Sequence, residues 1–331
     1  MTDDTGFDDD GTVRLKGRTI PLPATISPEA RRFLAIRRPP SEDLPAADDK
    51  AGWRALVAKH DAGIAALFKD RPGTPGSIDR ATIAGLPAYV GKPAQCAPAL
   101  QGKLCYSIHG GALLFMGGEM VGLDVQMSMA RTRCETWSVD YRMPPDHPYP
   151  AALDDCVAVY RAILKDRRPQ DVVVTGASAG GNLAAALMLR ARDEGLPLPA
   201  GLILLTPEVD LTESGDSFET VLHLDNMLTA RLMPYNRLYA GDHDPAHPYL
   251  SPLFGDFTRG YPPTFLQTGT RDLFLSNTVR MHRALRDAGI DAELHCWEAM
   301  PHGGFGGGTP EDAAIGAEVR RFLARIWRAP A

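Results

Sequence analysis

The sequence predicts an α/β fold, with a mostly parallel central sheet, helices on both faces and a helical cap. Three observations predict it. From about residue 103 onward, short apolar runs alternate with runs of helical length and period, the pattern of repeated strand–helix–strand units. Val172–Val173–Val174 is β-branched and continuously apolar, as a strand covered on both faces requires. That strand runs through Gly176–Ala177–Ser178–Ala179–Gly180 directly into Leu183–Ala184–Ala185–Ala186–Leu187–Met188–Leu189, a series of strong helix formers.

In chain order, Ser27–Pro28–Glu29 reads as an N-cap with proline in the first turn, opening a short helix that carries Phe33, Leu34 and Ile36. Arg37–Arg38–Pro39–Pro40 breaks it. Lys50 to Lys69 is a stronger helix: Trp53, Leu56, Val57, His60, Ile64, Leu67 and Phe68 recur at intervals of mostly three and four. Ala81–Ala84 and Ala88–Val90 form a short antiparallel pair around Gly85–Leu86–Pro87. Strands follow at Lys103–Ile108 and Thr136–Tyr141, with a helix over about 122–131 between them, and a further helix at Ala151–Leu164. After the Val172 strand and the Ala179 helix, which Gly195 closes, come strands at Leu202–Leu205, Thr264–Thr268 and Ala292–Trp297. Helices at Asn277–Ala288 and Glu311–Trp327 complete the alternation. Residues 212–263 interrupt it with a helix-like run, Arg231–Tyr239, and proline-rich loops. An insertion at the carboxyl end of a central strand lies where open sheets bind ligands. The expected organisation is therefore cap helices and lead-in over 1–75, a core of 76–211 and 264–331, and a cap insertion over 212–263. The extreme N-terminus is expected to be loose.

The charge balance excludes some functions. A net charge of −6 argues against a nucleic-acid binder or a polybasic membrane-surface protein. No stretch approaches the roughly 20 apolar residues of a membrane span. The five cysteines are odd in number and form no CxxC pair, and the first ten residues are acidic where a signal peptide would be basic and then apolar. The expectation is a cytoplasmic protein with reduced thiols, free of membrane and nucleic acid; a homodimer is compatible with this.

The chemistry starts from Ser178. A serine on a sharp strand-to-helix turn needs glycine two residues to either side, because side chains there would collide with the strand and helix. Its hydroxyl is a weak nucleophile until a positioned base takes its proton. Downstream, the 264–268 strand ends in Gly269–Thr270–Arg271–Asp272, and the 292–297 strand is followed by Pro301–His302–Gly303–Gly304. An acid and a histidine thus lie at carboxyl ends of strands, on the sheet edge that carries Ser178 and in the order nucleophile, acid, base. Glu208 and Asp210, which follow the 202–205 strand, are rival acids. Upstream, His109–Gly110–Gly111 follows the 103–108 strand. The amides of Gly110 and Gly111, with that of Ala179 at its helix N-terminus, are expected to receive an oxyanion. His109 reads as an orienting residue that ties this loop down. His243 and His247 lie too close to Pro245 and Pro248 to share a helical face, so no metal is expected. No GxGxxG or phosphate loop is present, and no cofactor is expected. Asp154–Asp155 reads as a helix-start or ion-pair feature.

These motifs resemble the hormone-sensitive-lipase-like family of α/β-hydrolases, over roughly residue 80 to the C-terminus. The pieces are His109–Gly110–Gly111–Ala112, Tyr141–Arg142–Met143–Pro144–Pro145–Asp146–His147–Pro148–Tyr149–Pro150–Ala151, Gly176–Ala177–Ser178–Ala179–Gly180–Gly181–Asn182, Gly269–Thr270–Arg271–Asp272 and His302–Gly303–Gly304–Phe305. The resemblance implies an α/β-hydrolase fold and a Ser178–Asp272–His302 triad. It also implies an oxyanion hole of Gly110, Gly111 and Ala179, and an acyl-enzyme mechanism on a small ester. Amidase or lactonase chemistry on the same triad is an alternative, and a non-catalytic ligand-binding role a second one. The chain departs from the family at Ala112, where a third glycine is usual, and at Leu113, where an aromatic is usual. The loop Leu113–Gly118 is about one residue longer. Glu208 stands where tryptophan often follows a Ser-Pro pair. These changes bear on substrate range; the expected pocket residues are Leu113, Leu114, Phe274 and Phe305, and short-to-medium acyl chains are expected.

Overall fold

Six parallel strands carry the molecule, and their carboxyl ends meet on one sheet edge. This computed structural model describes residues 6–7, 13–14, 17, 19–36, 43–68 and 73–328. The break at Arg37–Pro40, the helix end at Lys69 and most of the extreme N-terminus lie outside those residues. A two-strand ribbon pairs β1 (Gly6–Phe7) with β2 (Val13–Arg14). Helices α1 (Pro28–Leu34) and α2 (Lys50–Phe68) precede the main sheet. That sheet is built from β3 (Gly76–Ile83), β4 (Leu86–Pro93), β5 (Leu104–Ile108), β6 (Glu135–Val139), β7 (Val172–Ala177), β8 (Gly201–Leu205), β9 (Thr264–Gly269) and β10 (Ala292–Trp297). Its order is β10-β9-β8-β7-β5-β6-β4-β3. β3 pairs with β4, and β4 with β6, antiparallel; the other pairings are parallel. The helices between them are α3 (Met120–Thr132), α4 (Ala151–Asp166), α5 (Ala179–Asp193), α6 (Ser217–Thr220), α7 (Met233–Ala240), α8 (Leu275–Asp287) and α9 (Pro310–Trp327).

The alternation of strand side chains divides the core into two layers. Leu104, Tyr106, Ile108, Val172, Val174, Leu202, Leu204 and Leu266 face the layer of α4, α5 and α8. Cys105, Val173, Ile203 and Phe265 face α9 through Val319, Phe322 and Leu323. Helix α5 is buried nearly all round, which explains its alanine-rich sequence: only small side chains let a helix sit this close to the sheet.

The hairpin at the edge is longer than the sequence suggests. Its two-residue turn, Ala84–Gly85, has φ of 53° and 80°, as the turn twist of a tight hairpin requires, and eight-residue strands extend from it. Tyr141 falls outside β6. Its ring stacks on His109 at 4.0 Å, and its hydroxyl donates to the His109 carbonyl at 2.9 Å.

The N-terminal helices and the 212–263 insertion converge above the sheet edge. Trp53, Leu56 and Val57 of α2 pack against Leu114 and Phe115, and against Tyr235 and Leu238 of α7. His60 stacks on Phe115 at 4.1 Å, and the Asp61 carboxylate accepts the Met116 amide at 3.0 Å. Ser27 caps α1 by accepting from Ala30 N–H at 3.1 Å, while its own N–H and hydroxyl both donate to Glu311 of α9. Among the described residues, no helix is long and apolar enough to cross a membrane.

Candidate active site

Ser178 sits between β7 and α5 with φ 56° and ψ −124°, a region L-residues rarely occupy. The surroundings hold that strain in place. Ser178 N–H donates to the Leu205 carbonyl at 3.0 Å, and the Ser178 carbonyl accepts from the N–H of Asn182 and of Glu208. The flanking glycines are forced by close approach. A Cβ on Gly176 would lie 2.1 Å from the Gly180 carbonyl oxygen, and one on Gly180 would lie 2.0 Å from that of Ile108. Buried Asn182 completes the turn by donating from Nδ2 to the carbonyls of Glu208 and Leu250.

The β9 and β10 ends bring acid and base together. Asp272 Oδ1 accepts from His302 Nδ1 at 3.1 Å, so Nε2 is the nitrogen left to act as a base. The Asp272 carboxylate also accepts from Thr268 Oγ1 at 2.7 Å and from Phe274 N–H at 3.0 Å, and the residue is fully buried. His302 is 8% exposed, with the Phe274 ring edge-on to it at 4.9 Å. The rival acids lie elsewhere. Asp210 is bound by Thr212, Ser214 and Arg280, whose hydrogen bonds together outweigh burial and keep its carboxyl below the usual range. Glu208 is fully buried, and neither carboxylate oxygen meets a well-formed hydrogen-bond partner among the described residues. Burial pushes its pKa up to about 8; the Asn236 amide opposes this and the Glu213 and Asp210 carboxylates reinforce it.

From the end of β5, Gly110 approaches Ser178. A Cβ on Gly110 would lie 2.9 Å from the Ala177 carbonyl oxygen and 3.5 Å from Ser178 Cβ. Gly111 has φ 115°, and Ala112, Leu113 and Met116 also have positive φ, so the whole loop is tightly coiled. Among the described residues, neither the Gly110 nor the Gly111 N–H has an acceptor, and Ala179 N–H is the first of its helix. His109 Nδ1 donates to the Gly110 carbonyl at 2.8 Å, and burial pushes its pKa below the ordinary histidine value.

The expected pocket residues separate. Leu114 packs beneath α2 with Trp53 and Phe115, and Phe274 packs with Phe218, Leu232 and Leu273 beside His302. Leu113 instead belongs to the main core and is 1% exposed. Phe305 is buried in a cluster with Ile26, Ala30 and Met300, its ring 6.4 Å from that of Phe33 on α1. Asp155 and Asp154 are ion-pair residues, the former gripping Arg142 through two guanidinium nitrogens and its backbone N–H, the latter pairing with Arg190. His243 Nδ1 donates to the Ala240 carbonyl, and His247 Nδ1 accepts from Tyr249 N–H. One residue beside Asp272 and His302 has no sequence signal: Asp225, in the insertion, whose buried carboxylate accepts the N–H of both Leu273 and His302.

A strained serine, an acid-oriented imidazole and two unpaired amides on one sheet edge form the arrangement that acyl transfer needs. Comparison with known proteins agrees. A family model for the alpha/beta hydrolase fold matches residues 105–305. A carboxylic ester hydrolase, LipN, of Mycobacterium tuberculosis is 30% identical over 331 residues, covering 91% of this chain and 84% of the relative. The crystal structure of an esterase, E25, superposes with a TM-score of 0.85 at 32% identity, over 96% of this chain and 99% of that one. An esterase from the bacterial hormone-sensitive lipase family superposes with a TM-score of 0.74 at 27% identity, over 91% and 99%. The chain belongs to the α/β hydrolase fold family, among its hormone-sensitive-lipase-like members.

Proposed function

We propose that the protein is a serine carboxylic-ester hydrolase that works through an acyl-enzyme on esters of short to medium acyl chain. The observation that carries this reading is the Asp272–His302 hydrogen bond of 3.1 Å on the sheet edge that holds Ser178. The names of LipN and E25, a carboxylic ester hydrolase and an esterase, support the same class. His302 Nε2 takes the Ser178 proton as Oγ attacks the ester carbonyl, and the amides of Gly110, Gly111 and Ala179 receive the negative oxygen. His302 then gives the proton to the leaving alcohol. Water, activated by the same imidazole, releases the acid and restores Ser178. Helices α1 and α2 with the 212–263 insertion act as the cap. The aromatic packing of Trp53, Phe115 and Tyr235 next to the oxyanion loop supports a preference for shorter acyl chains.

The test uses p-nitrophenyl acetate, butyrate and laurate beside a p-nitroanilide. The two short esters are expected to turn over fastest. Ser178→Ala is expected to lower kcat by several orders of magnitude, with a remnant of roughly 10³-fold over water from the oxyanion site. A Ser178→Ala protein with wild-type rates overturns the mechanism, and an anilide cleaved faster than the esters reassigns the enzyme as an amidase.

A further inference from the structure

We propose that Asp225 is a positioning residue for the triad, its carboxylate clamping the acid-bearing and base-bearing loops in one mutual orientation. The inference rests on the reading of Asp272 and His302 as acid and base. Asp225 is 1% exposed and comes from the insertion between β8 and β9, not from the sheet. Its Oδ2 accepts from Leu273 N–H at 3.0 Å and from His302 N–H at 3.1 Å. A single oxygen therefore joins the amide next to the acid and the amide of the base. Its Oδ1 accepts from Met227 N–H at 2.8 Å and Leu228 N–H at 3.2 Å, which fixes the carboxylate to its own loop. Four donors on two oxygens is a demand that an ionised carboxylate meets and an amide cannot, because the amide nitrogen brings donors of its own.

Lower down, the two triad loops are also joined by Arg271 N–H to the Met300 carbonyl and Ala299 N–H to Thr270 Oγ1. Those bonds hold the loop bases; Asp225 holds the level at which Asp272 meets His302. Burial raises the Asp225 carboxyl, His302 and the amides it accepts oppose the rise, and Asp272 adds to it; ionised beside His302, the carboxylate also favours the imidazolium formed during the reaction. A small displacement of an imidazole from its attack position costs about 10²-fold in rate, so a clamp at this level acts on kcat.

The experiment measures p-nitrophenyl butyrate hydrolysis for Asp225→Asn, Asp225→Glu and Ser178→Ala, with wild-type and Asp225-variant rates normalised by active-site titration to competent enzyme. Asp225→Asn is expected to lose about 10- to 100-fold in kcat with little change in KM, and the acidic limb of its kcat/KM profile is expected to move to lower pH. Asp225→Glu restores the charge without the geometry, so its acidic limb should return while kcat stays depressed. Normalised rates and pH limb equal to wild type in Asp225→Asn, with Ser178→Ala inactive, overturn the clamp alone. If Asp225→Asn does not fold, a wild-type normalised kcat in Asp225→Glu overturns it. An active Ser178→Ala overturns the triad reading and the clamp with it.

Discussion

Replacing Glu208 by glutamine should flatten the alkaline fall of stability. The carboxyl is wholly buried, its oxygens lack well-formed partners, and its pKa rises from 4.5 to about 8. A carboxyl whose pKa is higher folded than unfolded binds more protons in the folded state, so the stability it confers is complete below the unfolded pKa. It is lost as pH rises from about 4.5 toward about 8, and above that the curve is level. At about 1.4 kcal/mol per unit, the ionisation withdraws up to about 4 kcal/mol between pH 5 and pH 9. Glutamine has nearly the same shape and no proton to lose. Urea unfolding followed by tryptophan fluorescence at pH 5, 7 and 9 isolates the residue as the difference between wild type and Glu208→Gln. That difference should shift in favour of glutamine by a few kcal/mol across the range. Asp225, whose carboxyl burial also raises, contributes equally to both proteins and cancels, while Glu213, coupled to Glu208, belongs to the same difference. Two parallel stability curves would refute the reasoning, because they would mean that Glu208 is solvated or ionised throughout.

Two further outcomes follow from the elbow and the acid. Gly180→Ala is expected to destabilise by at least about 2 kcal/mol, although alanine normally favours a helix, because its Cβ would fall 2.0 Å from the Ile108 carbonyl oxygen; a melting temperature at or above wild type contradicts this. Asp272→Asn is expected to lower kcat by about 10⁴-fold by upsetting the His302 tautomer, while Glu208→Gln leaves kcat within a few fold; steady-state kinetics showing the reverse would transfer the acid role to Glu208.

The sequence made the sheet edge legible because chemistry there constrains residue type and spacing together. Gly176 and Gly180 are dictated by backbone contacts near 2 Å, and such contacts leave a trace in any sequence that makes this turn. Asp272 and His302 were legible through their places at two strand ends. Asp225 was not, because its partners lie 48 and 77 residues away and no local pattern marks a side chain that binds distant amides. Nor does any local pattern show that Phe305 packs against Phe33, a residue of a helix at the far end of the chain. The edge hairpin was underestimated because the ends far from its turn carry exposed Gly76, Ser77, Asp79 and Arg80 on one strand, and Gly91, Lys92 and Pro93 on the other, so only the part next to the turn looks like a strand.

The insertion carries a consequence for anyone who would exchange it. Asn226 donates from Nδ2 to the Phe33 carbonyl at the end of α1, while its neighbour Asp225 binds the Leu273 and His302 amides. Two adjacent residues therefore wire the N-terminal helix, the insertion and the acid–base loops into one unit. A chimera that cuts at residues 212 and 263 to import another insertion would also remove the carboxylate that joins the Leu273 and His302 amides. The transplantable module in this architecture is an insertion that retains the dipeptide Asp225–Asn226; without it, a graft also releases the loops that carry Asp272 and His302.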